Sequence, residues 1–503
     1  MDLISNIAYG FSVLFEPINL LYCFIGVFVG NLIGVLPGIG PVGSMAILLP
    51  ATFAANPVTG IIMLAGIYYG AMYGGTITSV LVNIPGEAAT CITCLDGYQM
   101  ARQGRAGPAL GISAFGSFIG GTFSIVALTF TVFILSEVAL AFGPPEYFGL
   151  MCMGLTIIVY LVKGSLIKAI MTASLGLILG CVGTDVITGT LRFTIGFSEL
   201  SDGLGIAPIA MGLFGISEVL RNVEKSVVHT ISIPDKVKNI LPNREDWKRS
   251  IGPITRGSVI GFLLGILPGG GTIISSFVSY SVEKRVSKHP ERFGSGAIEG
   301  VAGPETANNA ATGGAFIPLL ALGIPPNVIM ALLLGAFLIH GITPGPLLIR
   351  QHPDVFFGVI ASMYAGNVML LLLNIPLVGL WIKVLKIPPR ILYPLILLFT
   401  LIGAYSINSS VFDIYVMLFF GLLGYVLKKF EYEEAPILLG FILGPMLEQA
   451  FRQSLIMSHG SLSIFFTRGI CVTALILSAA LLASTIFGVL RKKRESVVEK
   501  LDE

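Results

Sequence analysis

Charge is what this 503-residue sequence has least of: 12% of its residues are Asp, Glu, Lys or Arg, against about 25% in a soluble domain. With 54% hydrophobic residues beside so little charge, the chain reads as a polytopic membrane protein. The net charge of +2 and the absence of a basic stripe interleaved with aromatics exclude a nucleic-acid partner. Cysteine is scarce too. Cys23, Cys91, Cys94, Cys152, Cys181 and Cys471 are scattered in mostly apolar surroundings, and Cys91-x-x-Cys94 has no second pair at zinc spacing. They read as small packing residues. No G-x-S-x-G, H-E-x-x-H or Walker A motif occurs, so nothing points to hydrolysis or ATP use. The opening MDLISNIAYG lacks the basic start of a cleavable signal, so insertion through the first apolar helix is expected.

Glycine and proline, by contrast, are abundant, at 61 and 28 residues. Both break helices, glycine through backbone entropy and proline through its missing N–H. In lipid a break survives only where protein or a watery cavity satisfies the freed backbone groups. That favours a transporter or channel over a simple anchor. Apolar runs, at about 20 residues per crossing, predict roughly 10–12 spans with several half-spans. The fold class expected is therefore an all-α polytopic membrane protein built of two repeats with broken helices and re-entrant hairpins.

The extended polar insert, residues 221–250, holds seven Lys/Arg and separates halves of similar hydropathy. The expected organisation is a first half at 1–220, a cytoplasmic linker at 221–250, a second half at 251–490 and a cytoplasmic tail at 491–503. The tail opens with RKKR, Arg491 to Arg494, while the first 20 residues hold no Lys or Arg. By the positive-inside rule the C-terminus is cytoplasmic and the N-terminus periplasmic.

Two stretches carry the duplication, GNLIGVLPGIG from Gly30 and GFLLGILPGGG from Gly261. At an offset of 231 they match at seven of eleven positions. Gly30 and Gly34 have the spacing of a helix-packing face. Pro37-Gly38-x-Gly40-Pro41 and Pro268-Gly269-x-Gly271-Thr272 go further. Each ends one helix and lets another begin inside the membrane, where its N-terminal N–H groups attract anions. Paired broken helices at matching positions point to the central site of a transporter.

A second pair follows. Gly74-Gly75 leads to Ile84-Pro85 in one half, and Gly313-Gly314 leads to Ile324-Pro325 in the other, with the spacing one residue different. Neutral hydrogen-bonding groups cluster here: Thr76, Thr78, Ser79, Asn83 and Thr90 in the first half, and Thr306, Asn308, Asn309 and Thr312 in the second. They suit a carboxylate oxygen or a dehydrated cation, although Ser and Thr also serve their own backbone. Glu87 is either a functional acid or the start of a helix, and Glu299 and Glu305 flank the second cluster. Asp96, Arg102 and Arg105 read as a solvated cytoplasmic turn, and His340 as a core histidine.

The blocks GNLIGVLPGIGPVGSMAILLP, YYGAMYGGTITSVLVNIPGEAAT, LDGYQMARQGRAGPALGISAFGSFIGG and GAIEGVAGPETANNAATGGAFIPLLALGIP resemble the large membrane subunit of tripartite tricarboxylate transporters. The resemblance implies a secondary transporter in the bacterial inner membrane. It works with a small four-helix membrane subunit and a periplasmic solute-binding protein that delivers a small organic acid. An ion gradient, Na+ or H+, drives it without ATP or any cofactor, and an elevator-like motion suits the repeats, which analogy with other carriers makes inverted. The family's signature breaks fall on Pro37 to Pro41 with Asn83, Pro85, Gly86 and Glu87, and on Pro268 to Thr272 with Asn308, Asn309, Thr312, Gly313 and Pro325. Thr76, Asn83, Glu87, Thr306 and Asn308 are the candidates for holding the coupling ion. One departure is Pro326-Asn327, where Gly and a small polar residue are expected. Asn327 places an amide beside the substrate contacts. The rival expectations are a carrier or channel that needs no binding protein and, more remotely, an intramembrane enzyme using Glu87, Asp96 or His340.

Overall fold

A computed structural model describes residues 3–36, 40–53, 55–138, 142–161, 165–185, 187–224, 240–267, 271–385 and 389–484. Among these the chain is all-helical apart from one antiparallel pairing, Gly183–Thr184 with Leu191–Arg192. Six helices are long and apolar enough to cross a membrane, and six shorter apolar helices accompany them. The expected all-α polytopic class holds. The contacts divide the chain into two compact units, residues 1–139 with 207–425, and 140–206 with 426–503. Each unit takes residues from both sides of the 221–250 segment, and helices Ser217–Glu224 and Arg244–Ile266 reach into that segment from its two ends.

The first unit is organised around two helix pairs. In one, Pro17–Val35 lies along Pro57–Val82; in the other, Arg244–Ile266 lies along Glu299–Gly314. Pro57–Val82 starts where Asn56 accepts from Thr59 N at 3.0 Å, and every one of its span residues is buried. A helix apolar all round has no solvent face to keep, so it sits inside the bundle. Glycine sets how near its neighbour comes. A Cβ at Gly26, Gly30 or Gly34 would stand 2.2–2.4 Å from the carbonyl oxygens of Met63, Ile67 and Ala71. In the other pair, Gly257, Gly261 and Gly265 meet the carbonyls of Gly303, Ala307 and Ala311 at 2.3–2.5 Å. Backbones this close gain dispersion contacts that larger residues forbid.

These matched contacts correct one detail of the sequence alignment. Met63, Ile67 and Ala71 correspond to Gly303, Ala307 and Ala311, and the same separation continues through Asn83 and Gly323. Gly74-Gly75 and Gly313-Gly314 are therefore one residue out of register. Gly74 instead answers to Gly314, and their added Cβ atoms would meet matching carbonyls, Asn31 O at 2.3 Å and Phe262 O at 2.7 Å, whereas Gly75 aligns with Ala315 and Gly313 with Tyr73.

The reading of Asp96 as part of a solvated turn is also overturned. Asp96 is buried on helix Thr93–Arg102, and its Oδ1 accepts from the backbone N–H groups of Gly294, Gly296 and Ala297 at 2.8–2.9 Å. Tyr280 donates to Oδ2 at 2.9 Å. One carboxylate thus fixes the loop that leads into Glu299–Gly314. Arg105 joins Asp246, Arg249 grips Glu299 through two bonds and Arg256 grips Glu283 likewise. From the 221–250 segment, Asp246 and Arg249 thus tie the start of Arg244–Ile266 to Arg105 and to Glu299.

In the second unit, Leu166–Gly180 crosses Ala435–Met457 where Gly176 and Gly440 meet opposing carbonyls. Beyond the crossing, Asp185, Arg192, Glu448 and Arg452 form a paired network lining a cavity of about 380 Å³. The Asp185 carboxyl is held well below its usual range, first by the Arg452 guanidinium and then by Ile187 N–H.

Replacing Gly261 by Ala is expected to cost about 1–3 kcal/mol of stability by overpacking, read as a lower melting temperature in detergent. Gly379→Ala, whose Cβ meets nothing within 4 Å, is the matched control and is expected to lose none.

Candidate functional site

The first break separates Pro17–Val35 from Gly40–Leu48, and the second separates Arg244–Ile266 from Gly271–Val286. Pro37, Gly38, Pro268 and Gly269 lie outside the described residues. The flanks show that a new helix begins at each expected glycine. Gly40 has φ 64°, a left-handed conformation that costs a side chain about 1–2 kcal/mol. Ser44 donates to Gly40 O and Ser275 to Gly271 O, so the two new helices open with the same bond at the same place. Gly86 is held by contact, since its Cβ would stand 2.2 Å from Gly34 O and 2.6 Å from Gly75 Cα. This joins Ile-Pro-Gly to the first break.

The second pair of turns is equivalent residue by residue. Asn83 at φ 57° and Gly323 at φ 70° take the left-handed turn, Ile-Pro follows, and the fourth residue on caps the next helix. Glu87 accepts from Ala89 N at 2.8 Å and Asn327 from Met330 N at 2.9 Å. The segments after the turns are exchanged between repeats. Ala88–Cys91 packs on Gly271–Val286, while Val328–Ile339 packs on Gly40–Leu48. The hydrogen bonds repeat the exchange. Asn308 Nδ2 donates to Glu87 Oε1 at 3.0 Å, and at the corresponding positions Asn327 Nδ2 donates to Tyr68 OH at 3.2 Å.

Between the two long buried helices lies a polar core at the centre of this unit. Glu305, 1% exposed, accepts from Thr76 Oγ1 at 2.5 Å and from Thr93 Oγ1. Ser79 donates to Thr90 Oγ1 at 2.9 Å, and Thr90 to Glu87 O at 2.9 Å. Asn309 donates to Ser117 Oγ at 2.8 Å, beside a cavity of about 20 Å³ lined by Tyr69, Ser124, Thr312, Gly313 and Asn367 among others, room for one water-sized guest. Neither Glu87 nor Glu305 has a Lys, Arg or His partner among the described residues. The arrangement offers acceptor oxygens and hydroxyls in a desolvated place, which suits a proton or a small cation.

Of the expected ion-holding residues, Thr76, Glu87 and Asn308 come together. Thr306 does not: its hydroxyl returns to Ala302 O at 2.7 Å and packs on Gly116. Asn83 is exposed at its turn, and Pro85 is half-buried behind it. Pro41, Thr272 and Pro325 are buried, and Thr272 O accepts from Ser276 Oγ at 3.1 Å. Thr312 donates to Asn308 O. Glu87 caps Ala88–Cys91 and is buried in the polar core. His340 lies with Phe53 at 5.9 Å between ring centres, a packing position. Thr93 is a member that sequence reasoning missed, because a lone threonine beside Cys94 gives no signal. Glu305 was only flagged as flanking, although an acid within GPETANN in so charge-poor a chain is itself a signal.

Six apolar spans around a buried polar core, with new helices beginning at Gly40 and Gly271, define a multi-pass membrane protein. The chain belongs to the Tripartite tricarboxylate transporter TctA family, which it matches over residues 20–439. It is 49% identical, over the full length of both chains, to an Agrobacterium vitis protein described as an uncharacterized 52.8 kDa protein in the TAR-I ttuC' 3' region. A second Agrobacterium vitis protein, described as uncharacterized in the TAR-II ttuC' 3' region, is 53% identical over 47% of this chain and 98% of its own. No solved structure matches the chain.

Asn308→Leu strips Glu87 Oε1 of its side-chain donor. The expected outcome is a loss of about 1–3 kcal/mol, measured as a lower melting temperature of the purified protein, with Asn308→Asp tolerated less well because it faces Glu87 with a second acid.

Proposed function

We propose that the chain is the large membrane subunit of an ion-gradient-driven secondary transporter that imports a small di- or tricarboxylate. A periplasmic solute-binding protein delivers the acid, a small membrane subunit completes the assembly, and the inner membrane is its location. Membership of the family supports a tripartite arrangement. The observation that carries the reading is the matched pair of breaks, each followed at once by a new helix, at Gly40 and at Gly271.

A helix N-terminus presents unpaired N–H groups and the positive end of its dipole, worth about 0.3–1 kcal/mol per anionic contact and up to about 2 when partly buried. Two such ends, one from each repeat, suit a ligand with two separated carboxylates. The polar core between the long helices supplies the other requirement, a place for the coupling ion. In this reading the repeats are inverted, so that the exchange of segments between them is that of a pseudo-twofold pair.

Gly271→Val would drive a side chain to within 2.8 Å of Leu264 O. In membrane vesicles the variant is expected to insert and to lose labelled-carboxylate uptake, and Gly40→Val to do the same. Wild-type uptake in both would remove these turns from the mechanism. Uptake that is equal with and without the purified binding protein would instead favour a free-standing carrier.

A further inference from the structure

We propose that Glu305 is the group that binds and releases the coupling proton. This deepens the uptake reading above and rests on it. The Glu305 side chain is 1% exposed and sits where helices from both repeats meet. Thr76 reaches it from the long helix of the first repeat and Thr93 from the helix after the first turn, with the Ser113 hydroxyl alongside. The titratable groups that face it from those elements are Glu87, Tyr73 and Cys94, none of them basic. The nearer basic residues of the packed helices are committed elsewhere, Arg249 to Glu299 and Arg256 to Glu283. Asp96 is already saturated by three backbone donors and Tyr280.

A carboxylate in this position has lost water and gained no countercharge, an arrangement that costs several kcal/mol per ion. Protonation removes that cost. Hydroxyl partners make the change reversible, because a threonine donates to a carboxylate and, after rotating, accepts from a carboxylic acid. A hard cation asks for about six oxygens instead. One turn along the same helix, the buried Asn308 Oδ1 has no donor, while its Nδ2 holds Glu87. This leaves a free acceptor in the same polar core, one turn from Glu305. The step balances simply: a proton from the outer solution adds to a Glu305 carboxylate oxygen, and the same proton leaves to the inner solution after the bound acid has gone.

Infrared difference spectra of the purified full chain between acid and alkaline pH report protonated carboxyls by their C=O stretch and need no substrate. A carboxylic band missing from Glu305→Gln is expected; the same band in both proteins overturns the proposal. In vesicles holding the full chain and its partner subunits, with labelled citrate and succinate as probes, an inward proton gradient at equal Na+ should drive accumulation. Glu305→Gln should lose accumulation and keep exchange against preloaded acid, since a neutral amide imitates the protonated state. Accumulation that needs only a Na+ gradient, or that Glu305→Gln leaves intact, also overturns it. Should Glu305→Gln fail to insert, Thr93→Val decides: losing a donor that favours the ionised form shifts the infrared midpoint to higher pH, and an unshifted midpoint counts against the assignment. If the wild type neither takes up nor exchanges either probe, the uptake reading falls, and the infrared result alone decides whether Glu305 carries the proton.

Discussion

A helix broken inside a bilayer leaves backbone N–H and C=O groups that lipid cannot satisfy, and the whole first unit is arranged around that constraint. Each break has to be walled by protein, so the broken helix must lie against an unbroken partner along its length. Gly26, Gly30 and Gly34 on one side, and Gly257, Gly261 and Gly265 on the other, bring the backbones close enough to do this. The buried partner helix then has no lipid-facing surface, which is why Pro57–Val82 can hold Thr76, Thr78 and Ser79 in its span. Close packing therefore makes the polar core possible.

The glycines of GNLIGVLPGIG show how much was readable in the chain. The split between packing residues and turn residues followed from spacing, and the contacts agree: Gly30 and Gly34 touch a neighbouring backbone, while Gly40 takes a left-handed turn. The duplication was readable because both copies retain the residues that geometry makes obligatory. At the glycine pairs only Gly74 and Gly314 correspond; the neighbouring Gly75 and Gly313 have no glycine counterpart, so composition made the pairs look aligned when the register was off by one. Asp96 was misread for a different reason. Its partners are backbone N–H groups about two hundred residues away, and backbone donors leave no mark in a sequence.

Long-range pairing likewise hid the division into compact units. Helix Leu166–Gly180 belongs by sequence to the first half, yet it packs on Ala435–Met457 through contacts between Gly176 and Ile437 and between Gly440 and Ala173. Small residues are so common in this chain that no local pattern distinguishes a glycine facing a near neighbour from one facing a distant helix. The 221–250 segment was readable as polar and basic, but its ion pairs, Asp246 with Arg105 and Arg249 with Glu299, join residues that only the folded chain brings near.

The two repeats share a frame but not a chemistry. At one turn tip stands Glu87, and at the equivalent tip stands Asn327; both cap a helix, so the frame is kept, but only one brings an acid. Each tip is bound by the long helix of the other repeat, Glu87 by Asn308 and Asn327 by Tyr68, so the bond is duplicated with its partners changed. Glu305 goes further, for in the register of the helix contacts its equivalent in the first repeat is Ala65, which has nothing to ionise. A duplicated backbone pattern would place polar groups symmetrically at two positions. Here both acids fall in a single core, one contributed by each repeat. Under the proposed function that asymmetry has a use: two matched helix ends would treat two carboxylates alike, while a single coupling ion would need only one place to bind.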